Sequence, residues 1–212
     1  ETYDPNVYCK PDWIPLDFLK NYIKQLQAEG YEFISLEEAH RHIKRDVVRG
    51  KKYAVLTADD GLKCQLELVP WLEERHIPIA LFVNLEILDG ETCGCVVKKY
   101  FKIKDKKTEI KHAKALYLTN NDIKHLPALV SIGMHGITHD EVTEMTEEEF
   151  EKMVHICVGK LCNNSQYIPF YAYTYGRHSH HTDDELTKLH IIPVLADGGV
   201  NYTDSKVIHR EI

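Results

Sequence analysis

The sequence predicts an α/β fold in which parallel strands are wrapped by helices, either as a barrel or as an open sheet. Three observations predict it. Short β-rich runs alternate with stretches of helical periodicity along the chain. The run Ile79-Ala80-Leu81-Phe82-Val83 is apolar throughout, as a strand buried on both faces requires. Residues able to do chemistry, namely Asp59, Asp60, Asn84, His135, Tyr173, Tyr175 and Asp197, fall at or just after predicted strand ends. In both architectures function gathers at the carboxyl ends of the strands.

The first half yields its elements in order. Leu16, Leu19, Ile23 and Leu26 recur at helical spacing, so a helix runs from Leu16 to Glu29 and Gly30 stops it. Phe33-Ile34 is a short strand, and Ser35 caps a helix from Leu36 to about Ile43, with Glu38 completing a capping box. One strand covers 53–58. Leu66 to Arg75 reads as a helix with Pro70 near its first turn or at a kink, and Ile79 to Val83 is the buried strand.

The second half repeats the rhythm. Asn121 to about Leu126 is a helix and 129–134 a strand, after which Thr146-Glu147-Glu148-Glu149 is a capping box opening a helix to about Leu161. Phe170 to Tyr173 is a strand, Thr182 to His190 a helix, and Ile192 to Ala196 a strand.

Composition bounds the partners. With 212 residues and 43% hydrophobic content, the chain is long enough for one well-buried core, and no composition shift splits it, so 1–212 reads as one domain. A net charge of -7 argues against nucleic acid, because phosphate binding needs a basic face. A Lys-rich insertion at about 89–118, densest from Lys98 to Lys114, is read as solvated. No apolar run approaches the ~20 residues that span a bilayer. The chain begins at Glu1, so its compartment stays open, cytoplasmic or exported after loss of a leader. Six cysteines show no C-x-x-C metal spacing, and the pair Cys93-Gly94-Cys95 reads as loop thiols.

The strand-end acids and histidines carry the functional reading. Asp59 and Asp60 end the run Tyr53-Ala54-Val55-Leu56-Thr57, and Gly61 allows a sharp exit. Consecutive strand residues point to opposite faces, so both carboxylates serve one site only if the backbone turns between them. Acids at such positions also serve as turn formers. His135 closes the run from Leu129 to Met134, and His139 follows four residues later, the spacing of side chains on one face of a helical turn. Together these residues suggest a site of two histidines and one carboxylate, with open positions for water and a spare carboxylate as base. The chemistry indicated is metal-assisted hydrolysis.

Thr57-Ala58-Asp59-Asp60-Gly61 resembles the Thr-Phe-Asp-Asp-Gly motif of the polysaccharide deacetylases, the NodB-homology group or carbohydrate esterase family four. The stretch Gly133 to His139 is similar to that family's His-(Ser/Thr)-x-x-His motif, and Tyr171-Ala172-Tyr173-Thr174-Tyr175-Gly176 to its Phe-Ala-Tyr-Pro-Tyr-Gly. The resemblance implies a distorted (β/α) barrel holding a divalent cation, usually zinc, through Asp60, His135 and His139. It makes Asp59 the general base toward a water whose pKa the cation lowers, and it places the Tyr175 backbone N–H at the oxyanion. A carbohydrate is the implied substrate, losing an N-acetyl or similar acyl group. Two other readings stand beside it, an amidase of the same family acting on a small non-sugar amide and a catalytically silent carbohydrate-binding relative. Tyr171, Tyr173 and Tyr175 alternate along one predicted strand; Tyr173 and Tyr175 are the candidates to meet a sugar, or the rings line the core.

The departures from the pattern are specific. Ala58 replaces Phe, Gly136 stands where a hydroxyl residue is usual, and Ala172 stands where other members carry the Arg that orients the base. The family's late Leu-x-His motif, source of its general acid, has no clear match. Val207-Ile208-His209 imitates it poorly, and His178, His180 and His181 are alternatives.

Overall fold

The computed structural model describes residues 14–46, 50–85, 116–139 and 141–211. In chain order its main elements are α1 (Leu16–Ala28), β1 (Tyr31–Phe33), α2 (Leu36–Arg45), β2 (Lys52–Ala54), β3 (Leu56–Ala58), α3 (Val69–Glu73) and β4 (Ile79–Val83). These are followed by α4 (Asn120–Lys124), β5 (Val130–Met134), α5 (Glu147–Leu161), β6 (Tyr167–Ala172), α6 (His180–Lys188), β7 (Ile192–Leu195) and β8 (Ile208–His209). No helix among the described residues is long and apolar enough to cross a membrane. The Lys-rich insertion and Cys9, Cys93 and Cys95 lie outside the described residues.

Strands β3 to β8 form one six-stranded sheet in sequence order, with every pair parallel. Helical crossovers between parallel neighbours keep one hand, and the sheet curls into half a barrel. Its curl is visible in one contact: Arg210, immediately after β8, reaches Thr57 and Asp59 at the opposite edge strand. Backbone pairing among the described residues does not join those two edges. A separate pair, β1 and β2, stands beside the sheet.

Alternation along the strands divides the core in two. Leu81, Val83, Ile132, Met134, Tyr171 and Leu195 pack under the helices against Leu72, Val154 and Leu186. Ala80, Phe82, Phe170, Ala172, Val194 and Ile208 fill the concave side. Gly133 is required there, because a Cβ on it would lie 2.6 Å from the Phe82 ring. Gly133→Ala is expected to cost about 1–3 kcal/mol by overpacking, read as a lower urea midpoint; an unchanged midpoint would show that Phe82 repacks freely.

Several elements differ from the sequence expectation for local reasons. The single strand expected over 53–58 is interrupted at Val55, with β2 pairing to β1 and β3 pairing to β4. Pro70, which lacks an N–H, starts a helix far better than it continues one. A 3-10 turn at Lys63–Glu67 therefore precedes α3, with Pro70 in the first turn of α3. Ser35 caps α2 through Glu38 N, but the Glu38 carboxylate lies 3.7 Å from His42 instead of returning to the cap. Thr146 and Glu149 do form the reciprocal box that opens α5. Strand β6 bulges against β5, where Tyr167 to Tyr171 spans the stretch matched by Ile132 to Met134, and Pro169 within it has no donor for the ladder.

Candidate metal centre

The site is built on the carboxyl ends of β3 and β5. Strand β3 ends at Ala58, and Asp60 and Gly61 both take left-handed backbone, φ 71° and 66°. That turn sends the two carboxylates different ways. Asp60 Oδ1 lies 3.0 Å from His139 Nε2 and 3.4 Å from His135 Nε2, while Asp59 faces Arg210. The two histidines do not lie on a helical turn, as their spacing suggested. A tight loop brings them together, with Gly136 at φ 81° and His139 at φ 61°. Gly136 thus replaces the usual hydroxyl residue where the backbone is left-handed, a conformation glycine adopts without the penalty of a Cβ.

Hydrogen bonding orients the ligand atoms. A carbonyl only accepts, so the 2.8 Å contact from His135 Nδ1 to Ala172 O puts the proton on Nδ1 and leaves Nε2 to face Asp60. Burial alone would raise the Asp60 carboxyl, yet hydrogen bonds from His135 and His139 hold it well below the usual carboxylate range. Burial opposes charge on His135 as well, and its Asp60 partner and the nearby Asp59 outweigh it, so the imidazole lies above its ordinary value.

These residues fit a divalent cation. The ligand atoms of Asp60, His135 and His139 all lie within 4.8 Å of one another. Two ligands at ~2.0–2.2 Å from one tetrahedral ion stand roughly 3.3–3.6 Å apart, close to the spacings from Asp60 to each histidine. The donor set, two imidazoles and one carboxylate, is one that borderline metals accept.

A family model described as polysaccharide deacetylase matches residues 46–194, which include Asp59, Asp60, His135 and His139. The chain belongs to the polysaccharide deacetylase family. No curated protein matches it by sequence. Its fold is shared by solved structures of low identity. One is the deacetylase PplD of Streptococcus pyogenes in complex with acetate, 17% identical, TM-score 0.69, over 100% of this chain and 87% of that one. Another is IcaB from Ammonifex degensii, 18% identical, TM-score 0.68, over 97% and 87%. The BpsB deacetylase domain from Bordetella bronchiseptica is 14% identical, TM-score 0.64, over 99% and 92%.

In this deacetylase-family chain the third motif divides by face. Tyr171 and Tyr173 are buried under the helices, and the Tyr173 hydroxyl donates to Asp183 at 2.8 Å. Tyr175 lies past the strand, at φ 57° in a 3-10 turn. Its ring is 48% exposed and stands edge-on to His139, 4.8 Å between centroids. Only Tyr175 of the three presents its ring beside the candidate ligands.

Sequence reasoning missed Arg210. Its Nη1 donates to Asp59 Oδ1 at 2.9 Å and to Thr57 Oγ1 at 2.8 Å, and its Nη2 donates to Asp59 Oδ2 at 2.5 Å. No local signal marked it, because β8 is two residues long and is defined by its register with Val194 and Leu195. Ile208 packs on the concave side, and Arg210, two residues on, reaches Asp59. His209, between them, turns to the other face, where its Nδ1 lies 2.9 Å from the Asp197 carboxylate. His178 pairs with Asp183 at 3.0 Å, and His181 lies 4.0 Å from Glu147.

Proposed function

We propose that the protein is a metal-dependent hydrolase that removes an acyl group, N-acetyl foremost, from a carbohydrate. The observation that carries this reading is the division of labour between adjacent acids: Asp60 joins His135 and His139, while Asp59 stays outside that trio on the same rim. Zinc is the proposed ion, since two histidines and a carboxylate suit an open zinc site. A divalent cation bound there supplies Lewis acidity, polarising an acyl carbonyl and bringing the pKa of water toward ~7.

The chain's own residues do the rest. Asp59 Oδ1 or Oδ2 takes the proton of the attacking water, a task a carboxylate performs when held within hydrogen-bond reach of it. Its neighbour Asp60 holds the ion together with His135 and His139. Tyr175 offers its exposed ring to the sugar, and Tyr173 supports that turn from the core through Asp183. The whole chain is read as one catalytic domain.

The alternatives make different predictions in one assay. Purified protein is incubated with acetylated hexosamine oligomers and with small non-sugar amides, with and without chelator, and released acetate or amine is measured. Acetate from the oligomers that stops with chelator and returns with zinc is the expected result. Release from the small amides alone would move the activity to a non-sugar amidase. Sugar binding without release, unaffected by chelator, would leave a silent relative and overturn the proposal.

A further inference from the structure

We infer that Arg210 is the positioning residue for Asp59, and that in this chain the orienting cation comes from the last strand's end instead of from position 172. The inference rests on the reading of Asp59 as the base.

Ala172 lies on the concave side, on the same face as Phe82, and its methyl group is too short to reach any carboxylate. Arg210 arrives from the opposite edge of the sheet and meets both oxygens of Asp59 with its two terminal nitrogens. A planar guanidinium fork matches a carboxylate in this way, whereas a lysine ammonium acts as a point charge. The third contact, to Thr57 Oγ1 at 2.8 Å, fixes the fork's tilt.

The arginine is itself held at root and middle. Its backbone N–H donates to Leu195 O at 3.0 Å, continuing the β7 to β8 pairing. Its guanidinium lies over the Phe82 ring at 5.3 Å, and Phe82 occupies that position because Gly133 has no side chain. With its side chain 14% exposed, Arg210 meets the carboxylate where water screens the pair less than at an open surface. Asp59 is therefore fixed in direction while its side chain remains 31% exposed. The same contact ties the unpaired edges of the half barrel, so a purely structural role is the rival explanation.

Arg210→Ala and Arg210→Lys separate the two. Zinc content, urea midpoint, kcat and KM for the acetylated oligomer, and a crystal structure of each variant are measured. A charge-assisted pair contributes about 1.5–3 kcal/mol, so kcat is expected to fall roughly 10- to 150-fold in Arg210→Ala, with KM and zinc stoichiometry near wild type. Arg210→Lys, keeping the charge without the fork, falls less but does not return to wild type. Millimolar guanidinium, far below denaturing concentration, restores part of the Arg210→Ala rate. In its crystal structure the Asp59 carboxylate rotates from its wild-type position, a readout that needs no turnover. If the wild-type protein releases no acetate, the proposed function fails, and the crystal structure still decides the positioning claim. An unmoved Asp59, or a loss of kcat that tracks lost zinc or lost folded protein without guanidinium rescue, overturns the inference.

Discussion

Asp59→Asn is expected to abolish turnover and to leave the metal in place. The expected loss in kcat is on the order of 10²–10⁴-fold, the range that general-base catalysis contributes. Asn keeps one of the two acceptors that the Arg210 fork uses, and it has no basic oxygen to take a proton. The three ligand residues are untouched, and Asp59 makes no contact with either histidine among the hydrogen bonds and ion pairs of the site. Zinc stoichiometry by atomic emission and the affinity in a chelator competition should match wild type. Metal loss equal to that of a ligand variant would reverse the roles of the two acids.

His139→Ala loses both. Removing a first ligand is expected to weaken zinc binding by more than ~100-fold, since even hydrogen-bond partners behind a ligand cost 10- to 100-fold. Turnover disappears at stoichiometric zinc. The backbone complicates the alanine variant, because His139 sits at φ 61°, a left-handed conformation in which His and Asn are enriched and alanine is not. Asn tolerates that conformation better. His139→Asn should therefore keep the metal-free stability of the wild type while still losing tight zinc binding. If His139→Asn binds zinc like wild type, His139 is not a ligand and the candidate centre must be redrawn around Asp60 and His135.

The fold was legible where one residue pattern leaves one option. Ile79 to Val83 reads as a buried strand and is buried at all five positions. The Thr146 box announces α5, and both of its hydrogen bonds are present. Legibility failed where a partner distant in sequence decides the outcome. The two residues of β8 carry no strand signature, and only their register with Val194 and Leu195 makes them a strand. Likewise the break at Val55 reflects two different neighbours, β1 and β4, pairing with the two halves of one extended run.

The candidate centre divides in the same way. Asp60, His135 and His139 were identifiable because strand ends, a glycine exit and two imidazoles are all written locally. The manner of their meeting was not. Spacing suggested a helical turn, whereas Gly136 and His139 take left-handed backbone that a four-residue interval does not encode. Tyr173 and Tyr175, two residues apart, look alike on paper, yet one is buried and the other is 48% exposed, because Tyr173 keeps extended backbone just past β6 while Tyr175 takes left-handed backbone in the turn that follows.

The sequence by itself determined the alternation of parallel strands and helices, and it pointed to the candidate ligands and to the acid proposed as the base, because those follow from local periodicity and side-chain chemistry. Only the tertiary structure decided which cation faces Asp59. Arg210 lies 151 residues away in sequence, and it reaches that carboxylate because the sheet curls until its first and last strands approach. No local pattern records how far a sheet curls, since that depends on the packing of every strand between its edges.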